Sequence, residues 1–221
     1  RRGLVPKSGD WEHPDHWILP EEEKSPKDEE GKKIPSEEES SLLQFEESEF
    51  TAAERWGDAQ SGEWIKKLSP EELSTCLVYK KDSFEIHSYL RGQPGTFRRT
   101  LSKEELERSI VALDSAIGKG GFSRDVVVYR GLSEKVLKRT ESLLGKSIAD
   151  KAYLSTSLLS QAAVAFVANL SSSEGIILKI TVKKGTPAMY LGNPKMGKLS
   201  FSGNEYEVVL PRNTKIKFSD K

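Results

Sequence analysis

The 221-residue chain has one cysteine, Cys76. It can form no internal disulfide, and with no Cys or His partner at ligand spacing the thiol does not suggest structural zinc. Cys76 reads as a small packed residue. Histidines number three. His13 and His16 lie in the leading segment without a third ligand, and His87 sits alone on a helical stretch with no Gly-x-Ser-x-Gly turn to accompany it. Neither a metal centre nor a hydrolytic triad is expected. Long apolar runs are missing too: the longest, Ala162 to Leu170, is too short to cross a bilayer, and no hydrophobic signal core follows Arg1-Arg2. No membrane span is read, and secretion stays open because the chain could be a mature form. A phosphate-binding P-loop is excluded at Leu144-Gly145-Lys146-Ser147, since position 140, where the motif needs glycine, is Thr. Gly118-Lys119-Gly120-Gly121 reads as a turn. No internal repeat is visible.

Net charge is also absent, with 34 basic and 34 acidic residues. The zero is a cancellation. Residues 21–50 carry 12 Asp/Glu against four Lys and few large apolar groups, so they cannot bury enough surface to offset their ordering entropy. Residues 1–50 are therefore expected to be an acidic extension, flexible or loosely docked, although Trp11, Trp17, Ile18 and Leu19 are apolar enough to clip onto a domain surface. The basic remainder suits a diphosphate ligand, an acidic protein surface or nucleic acid, and charge alone does not choose.

From Phe50 the pattern changes. Helical spacing runs through residues 50–67, 70–80, 83–91 and 103–117, with capping boxes at Ser69-Pro70-Glu71-Glu72 and Ser102-Lys103-Glu104-Glu105. After Arg124 the period becomes two. Residues 126–129, 153–157, 176–182, 188–191, 206–210 and 215–218 read as strands, with helices expected near 133–144 and 160–170. Helices first and strands second predict an α+β domain over residues 51–221.

Three elements could carry chemistry. Arg130 closes the strand Val126–Tyr129, with Gly131 after it: a guanidinium at a strand end beside a glycine that lets a ligand approach. In Tyr153-Leu154-Ser155-Thr156-Ser157, alternation puts Tyr153, Ser155 and Ser157 on one face. In Gly203-Asn204-Glu205-Tyr206-Glu207, the same alternation puts Glu205 and Glu207 on one face, about 7 Å apart. Like charges that close are costly in a purely structural role and useful if each meets a different positive group.

In this order, the Tyr-Arg-Gly segment, the Ser-Thr-Ser strand and the Glu-x-Glu running into an apolar strand resemble the arginine–serine–glutamate class of bacterial toxin mono-ADP-ribosyltransferases, over residues 50–221. Ser83 to Arg91 looks like the family's helix before the NAD cleft, and Lys184-Gly185-Thr186-Pro187 like its strand-to-strand turn. The nearest likeness is to the enzymatic components of actin-modifying binary toxins and their single-chain relatives. The resemblance implies two packed, roughly perpendicular sheets, with an N-terminal helical subregion flanking an NAD cleft. It implies that Arg130 holds the NAD diphosphate and that Ser155 positions Glu207. Glu207 would stabilise the cationic sugar left when nicotinamide departs, and Glu205 would orient and deprotonate an incoming arginine. It places Gly131, Thr156, Ser157 and Phe166 against the dinucleotide. Asn169 departs from the basic residue found in relatives, which leaves a second phosphate contact in doubt, and residues 193–204, with Phe201, correspond to the target-recognition loop. NAD as substrate, no metal, a host protein acceptor with actin first, a translocation partner, no nucleic acid and a monomeric, secreted enzyme follow as expectations. The alternatives are an NAD glycohydrolase and a silent docking module.

Overall fold

Two of the helices in the first half, those at Pro70–Lys81 and Lys103–Gly118, start where the sequence supplies a capping box. The computed structural model describes residues 17–18, 42–81, 83–93, 101–133, 145–169, 175–192 and 206–218, and in it the helices are α1 (Phe50–Ile65), α2 (Pro70–Lys81), α3 (Phe84–Leu90), α4 (Lys103–Gly118) and α5 (Ser160–Asn169). Ahead of α2 the Ser69 N–H donates to Glu72 Oε2 at 2.6 Å while the Glu72 N–H donates to Ser69 Oγ at 3.2 Å. Ser102 and Glu105 repeat the exchange ahead of α4 at 2.7 and 3.2 Å. Both boxes satisfy N–H groups that a helix start leaves without partners. Glu72 goes further and ties α2 to α4, accepting from Ser115 Oγ at 2.6 Å and from Lys119 Nζ at 2.6 Å. Burial works against its ionisation, yet the bonds from Lys119, Ser115 and Ser69 outweigh it and hold the carboxyl down to about 2. The helix expected near 133–144 lies outside the described residues.

Among the described residues there are eight strands: β1 (Trp17–Ile18), β2 (Val126–Ser133), β3 (Ser147–Asp150), β4 (Leu154–Ser157), β5 (Gly175–Val182), β6 (Met189–Tyr190), β7 (Glu207–Leu210) and β8 (Lys215–Lys217). They form a five-stranded sheet of order β5-β2-β4-β7-β6 and a three-stranded sheet of order β1-β3-β8, every pair antiparallel. The fold is α+β. The apolar lead supplies β1, whose backbone pairs Trp17 with Asp150 and Ile18 with Ala149. Strand β3 is absent from the sequence reading because its four residues, Ser-Ile-Ala-Asp, hold one strong strand former.

Alternation along β4 and β7 separates two cores. Leu154, Val208 and Leu210 face one way, packing with Val126 and Val128 against Ile148 and Ile216 of the small sheet. Tyr153 and Val209 face the other way, against Trp64, Cys76, Tyr79, Leu113 and Ile117 from the helices. The large sheet is thus a middle layer between the small sheet and the helical subregion. Each fully buried Leu or Ile in it contributes about 1.5–3 kcal/mol of transfer free energy. Residues 42–49 lie against the same core: the Leu43 N–H donates to the Asp125 carbonyl at 3.0 Å, and Phe45, 7% exposed, packs on Trp56.

The Arg130 strand differs from its expected form. It runs four residues past Tyr129, pairing Arg130 with Leu178, Gly131 with Ile177 and Leu132 with Ile176, so Arg130 sits mid-strand. The glycine has a packing reason. A Cβ at Gly131 would lie 2.4 Å from the Ala163 carbonyl oxygen and 2.7 Å from Val167 Cγ2, both on α5. On that side the missing side chain admits a helix, not a ligand. Because the oxygen belongs to helix backbone, Gly131→Ala should push α5 off the sheet and destabilise the fold by about 1–3 kcal/mol. A denaturant midpoint that falls at unchanged slope is the expected readout, and an unmoved midpoint would disprove the close packing.

Candidate active site

Three adjacent strands and one helix end meet around Arg130, Ser155 and Glu207. Strand β4 is flanked by β2 and β7, with Ser157 opposite Tyr129 on one side and opposite Glu207 on the other. This brings residues 25 to 77 positions apart in the chain onto the three central strands of the sheet. Ser155 Oγ donates to Glu207 Oε1 at 2.6 Å, a short charge-assisted bond that fixes the carboxylate against β4. Arg130 Nη1 donates to the carbonyl oxygen of the same Ser155 at 2.7 Å. One serine therefore holds the acid with its side chain and the guanidinium with its backbone.

Behind Arg130 lies a buried ion pair absent from the sequence reading. Arg91, the residue closing α3, donates from Nε to Asp150 Oδ1 at 3.1 Å and from Nη2 to Oδ2 at 2.6 Å. The Ala152 N–H adds a bond to Oδ1 at 2.9 Å, and Arg130 Nη2 stands 3.5 Å from Oδ2. The Arg91 and Asp150 side chains are only 3% and 2% exposed. Burial alone would raise the Asp150 carboxyl, but the Arg91 bonds and charge, then Arg130 and the Ala152 N–H, hold it below the ordinary range. Against this cluster sits His87, whose Nε2 shares a 2.9 Å hydrogen bond with the Tyr79 hydroxyl. Burial first, then the Arg91 charge, push the imidazole down to about 3, with Asp150 opposing and Arg130 adding to the effect. His87 is neutral and adds no further cation.

The strand before Glu207 is not continuous. Tyr206 adopts φ +48°, a left-handed conformation that non-glycine residues seldom hold. β7 begins only at Glu207. The alternation that paired Glu205 with Glu207 needs extended backbone through Tyr206, which is missing here, and Glu205 itself lies outside the described residues. So do Phe201 and residues 193–205. Backbone held this way clusters at functional sites in general.

The remaining candidates have other contacts. Thr156, on the opposite face to Ser155, donates its hydroxyl to the Val208 carbonyl at 2.8 Å and is buried. Ser157 Oγ accepts from the Leu159 N–H at 3.1 Å, ahead of α5. Phe166 is 39% exposed on α5, and the Asn169 side chain lies outside what the structure describes. Arg91 and Asp150 are the residues that sequence reasoning missed. Arg91 closes the Ser83–Arg91 segment, and Asp150 follows the Leu144–Ser147 segment by three residues. Each could have been flagged as a charge next to apolar residues, Leu90 before one and Ile148-Ala149 before the other.

Chemically the arrangement offers a fixed carboxylate able to stabilise a nearby cation, and, two strands away across β4, a guanidinium fork able to hold an anion. A family model described as ADP-ribosyltransferase exoenzyme matches residues 53–220. The chain is 30% identical over 173 residues to an Enterococcus faecalis protein named NAD(+)--arginine ADP-ribosyltransferase EFV, covering 75% of this chain and 33% of that protein. It spans about a third of that relative's length. Among solved structures, it is similar to the ADP-ribosylating toxin BECa of a binary enterotoxin of C. perfringens, solved with NADH, at 28% identity and a TM-score of 0.62 over 79% of this chain and 43% of that one. It is also similar to C3stau2 from S. aureus, solved with NAD, at 25% identity and a TM-score of 0.59, over 80% and 89% of the two chains.

Proposed function

The chain belongs to the ADP-ribosyltransferase exoenzyme family, and from that premise we propose that it transfers ADP-ribose from NAD to an arginine side chain of a host protein, releasing nicotinamide. The observation that carries the reading is the Ser155–Glu207 hydrogen bond of 2.6 Å, made on the residue whose carbonyl also holds Arg130. NAD as the donor is further supported by the NADH and NAD present in the two solved relatives.

In this reading Arg130 holds the diphosphate, with two donors in a plane matched to phosphate oxygens. The glycosidic bond between ribose C1′ and the nicotinamide nitrogen breaks, and the electron pair leaves with nicotinamide. The sugar becomes cationic, and Glu207, kept in place by Ser155, stabilises a charge that exists only near the transition state. A guanidinium nitrogen then bonds to C1′ and its proton passes to Glu205. Arginine has a pKa above 12, so a carboxylate at that position is what makes it nucleophilic. Arginine as the acceptor type is supported by Glu205 and by the name of the E. faecalis relative.

The catalytic unit is read as residues 51–221 and the acidic residues 1–50 as an extension to it, with action on a host protein after secretion and delivery through a translocation component. Actin is the first acceptor to test, on the strength of the resemblance to binary toxins. Labelled NAD added to a eukaryotic lysate, with and without actin, tests the reading directly. A labelled band that disappears with Glu207→Ala supports it, and no labelling with no nicotinamide release refutes it.

Glu205→Gln separates transfer from hydrolysis. It should lower arginine modification by about 10²-fold, within the range that general acid–base groups supply, while nicotinamide release to water stays within a few-fold. A physiological glycohydrolase would show no such selective loss, because water needs no guanidinium base.

A further inference from the structure

Asp150 is a buried acid facing two cations, the buried Arg91 and the part-buried Arg130. Its carboxylate receives the Arg91 fork at 2.6 and 3.1 Å and stands 3.5 Å from Arg130 Nη2. Among Arg91, Arg130 and Asp150 the count is +1, while His87 alongside is neutral and the Glu207 carboxylate is held separately by Ser155 Oγ. An acid paired with Arg130 alone would have cancelled the charge that an anionic ligand needs. With Arg91 taking both oxygens in a bidentate pair, Asp150 can orient Arg130 without neutralising it.

The connectivity supports the same division of labour. Arg130 is held from two directions, by the Ser155 carbonyl of the large sheet at 2.7 Å and by the Asp150 carboxylate of the small sheet. A hydrogen bond on Nη1 and an ion pair on Nη2 together restrict a guanidinium more than either contact alone. Asp150 is itself immobilised: the Ala152 N–H bonds Oδ1 at 2.9 Å, and β3 pairs with both β1 and β8.

We infer that Asp150 is a positioning residue for NAD binding: it sets the direction of the Arg130 guanidinium, while Arg91 balances its charge so that a net positive charge remains for the dinucleotide diphosphate. The inference rests on the transferase reading, and wild-type NAD binding is the control that separates the two. Asp150→Asn keeps the shape and one accepting oxygen but removes the charge. The NAD Kd by calorimetry and the KM for nicotinamide release should both rise about tenfold, with kcat of the folded fraction within about twofold. In an Arg130→Lys background the same change should move neither constant by more than about twofold, because the group it acts through is gone. Should Asp150→Asn fail to fold, Asp150→Glu keeps the charge and displaces the carboxylate by one methylene, and Kd and KM should rise several-fold. A folded variant with lower melting temperature but unchanged Kd and KM overturns the inference, as does an equal effect in both backgrounds. Wild type that neither binds nor cleaves NAD overturns the transferase reading and this inference with it; wild type that does both, beside unchanged variants, overturns only the role of Asp150.

Discussion

Glu207→Gln should lower nicotinamide release by about 10²–10³-fold, the loss typical of removing one preorganised electrostatic group aimed at developing charge. The side chain is half-buried at the first residue of β7, and its Oε1 accepts from Ser155 Oγ at 2.6 Å. An amide oxygen can accept the same bond. The substitution therefore keeps the shape and the β4–β7 contact while deleting the negative charge, and the melting temperature should move by no more than a surface substitution would move it. On the proposed role, in which the charge acts only on the cationic sugar, the loss should fall on kcat and kcat/KM together, with NAD affinity little changed. Ser155→Ala should go in the same direction more weakly, since it frees the carboxylate without removing it. Steady-state nicotinamide release and NAD calorimetry on the same preparations check this. A Glu207→Gln enzyme with wild-type turnover would remove Glu207 from the chemistry, and one that has lost NAD affinity instead would make it a binding residue.

Much of this site could be read from residue order, and the parts that could not share a physical cause. The helices were legible because their starts are encoded locally: a hydroxyl at the cap and a glutamate three residues on are enough to define Ser69–Glu72 and Ser102–Glu105. The serine strand was legible because period two survives in Leu154 to Ser157, and so was the grouping of Ser155 with Tyr153 on the helix-facing side. From the sequence Arg130 reads as a strand end, because the ladder that prolongs β2 is made by β5, some 48 residues later at the Arg130–Leu178 pair. Tyr206 defeats the alternation rule for another reason: a left-handed φ is set by what surrounds the residue, and a tyrosine carries no local signal for it. The Arg91–Asp150 pair spans 59 positions. Nothing in either segment announces the other, since a buried ion pair is defined by packing and not by spacing.

That pair carries the largest expected effect on stability. Arg91→Leu should destabilise the fold by about 3–5 kcal/mol at neutral pH, the usual cost of leaving one member of a buried pair behind. Arg130, 3.5 Å from Oδ2, cannot replace a fork that takes both oxygens. The sign of the pH dependence is specific. In the wild type the Asp150 carboxyl is held below its ordinary value, so the stability it contributes is present above that value and is lost as pH falls. In Arg91→Leu the first cause acting on Asp150, burial, is no longer outweighed by Arg91, and the carboxyl should titrate above its ordinary value. Protonation then relieves the buried charge, so the gap between variant and wild type should narrow as pH falls from 7 towards 4. Urea unfolding of both proteins across that interval measures it. A gap that stays constant would mean that Arg91 acts through packing of its side chain, not through the Asp150 charge. In that case Arg130 alone keeps the carboxylate ionised in the variant, and Arg91 is dispensable as its counter-ion.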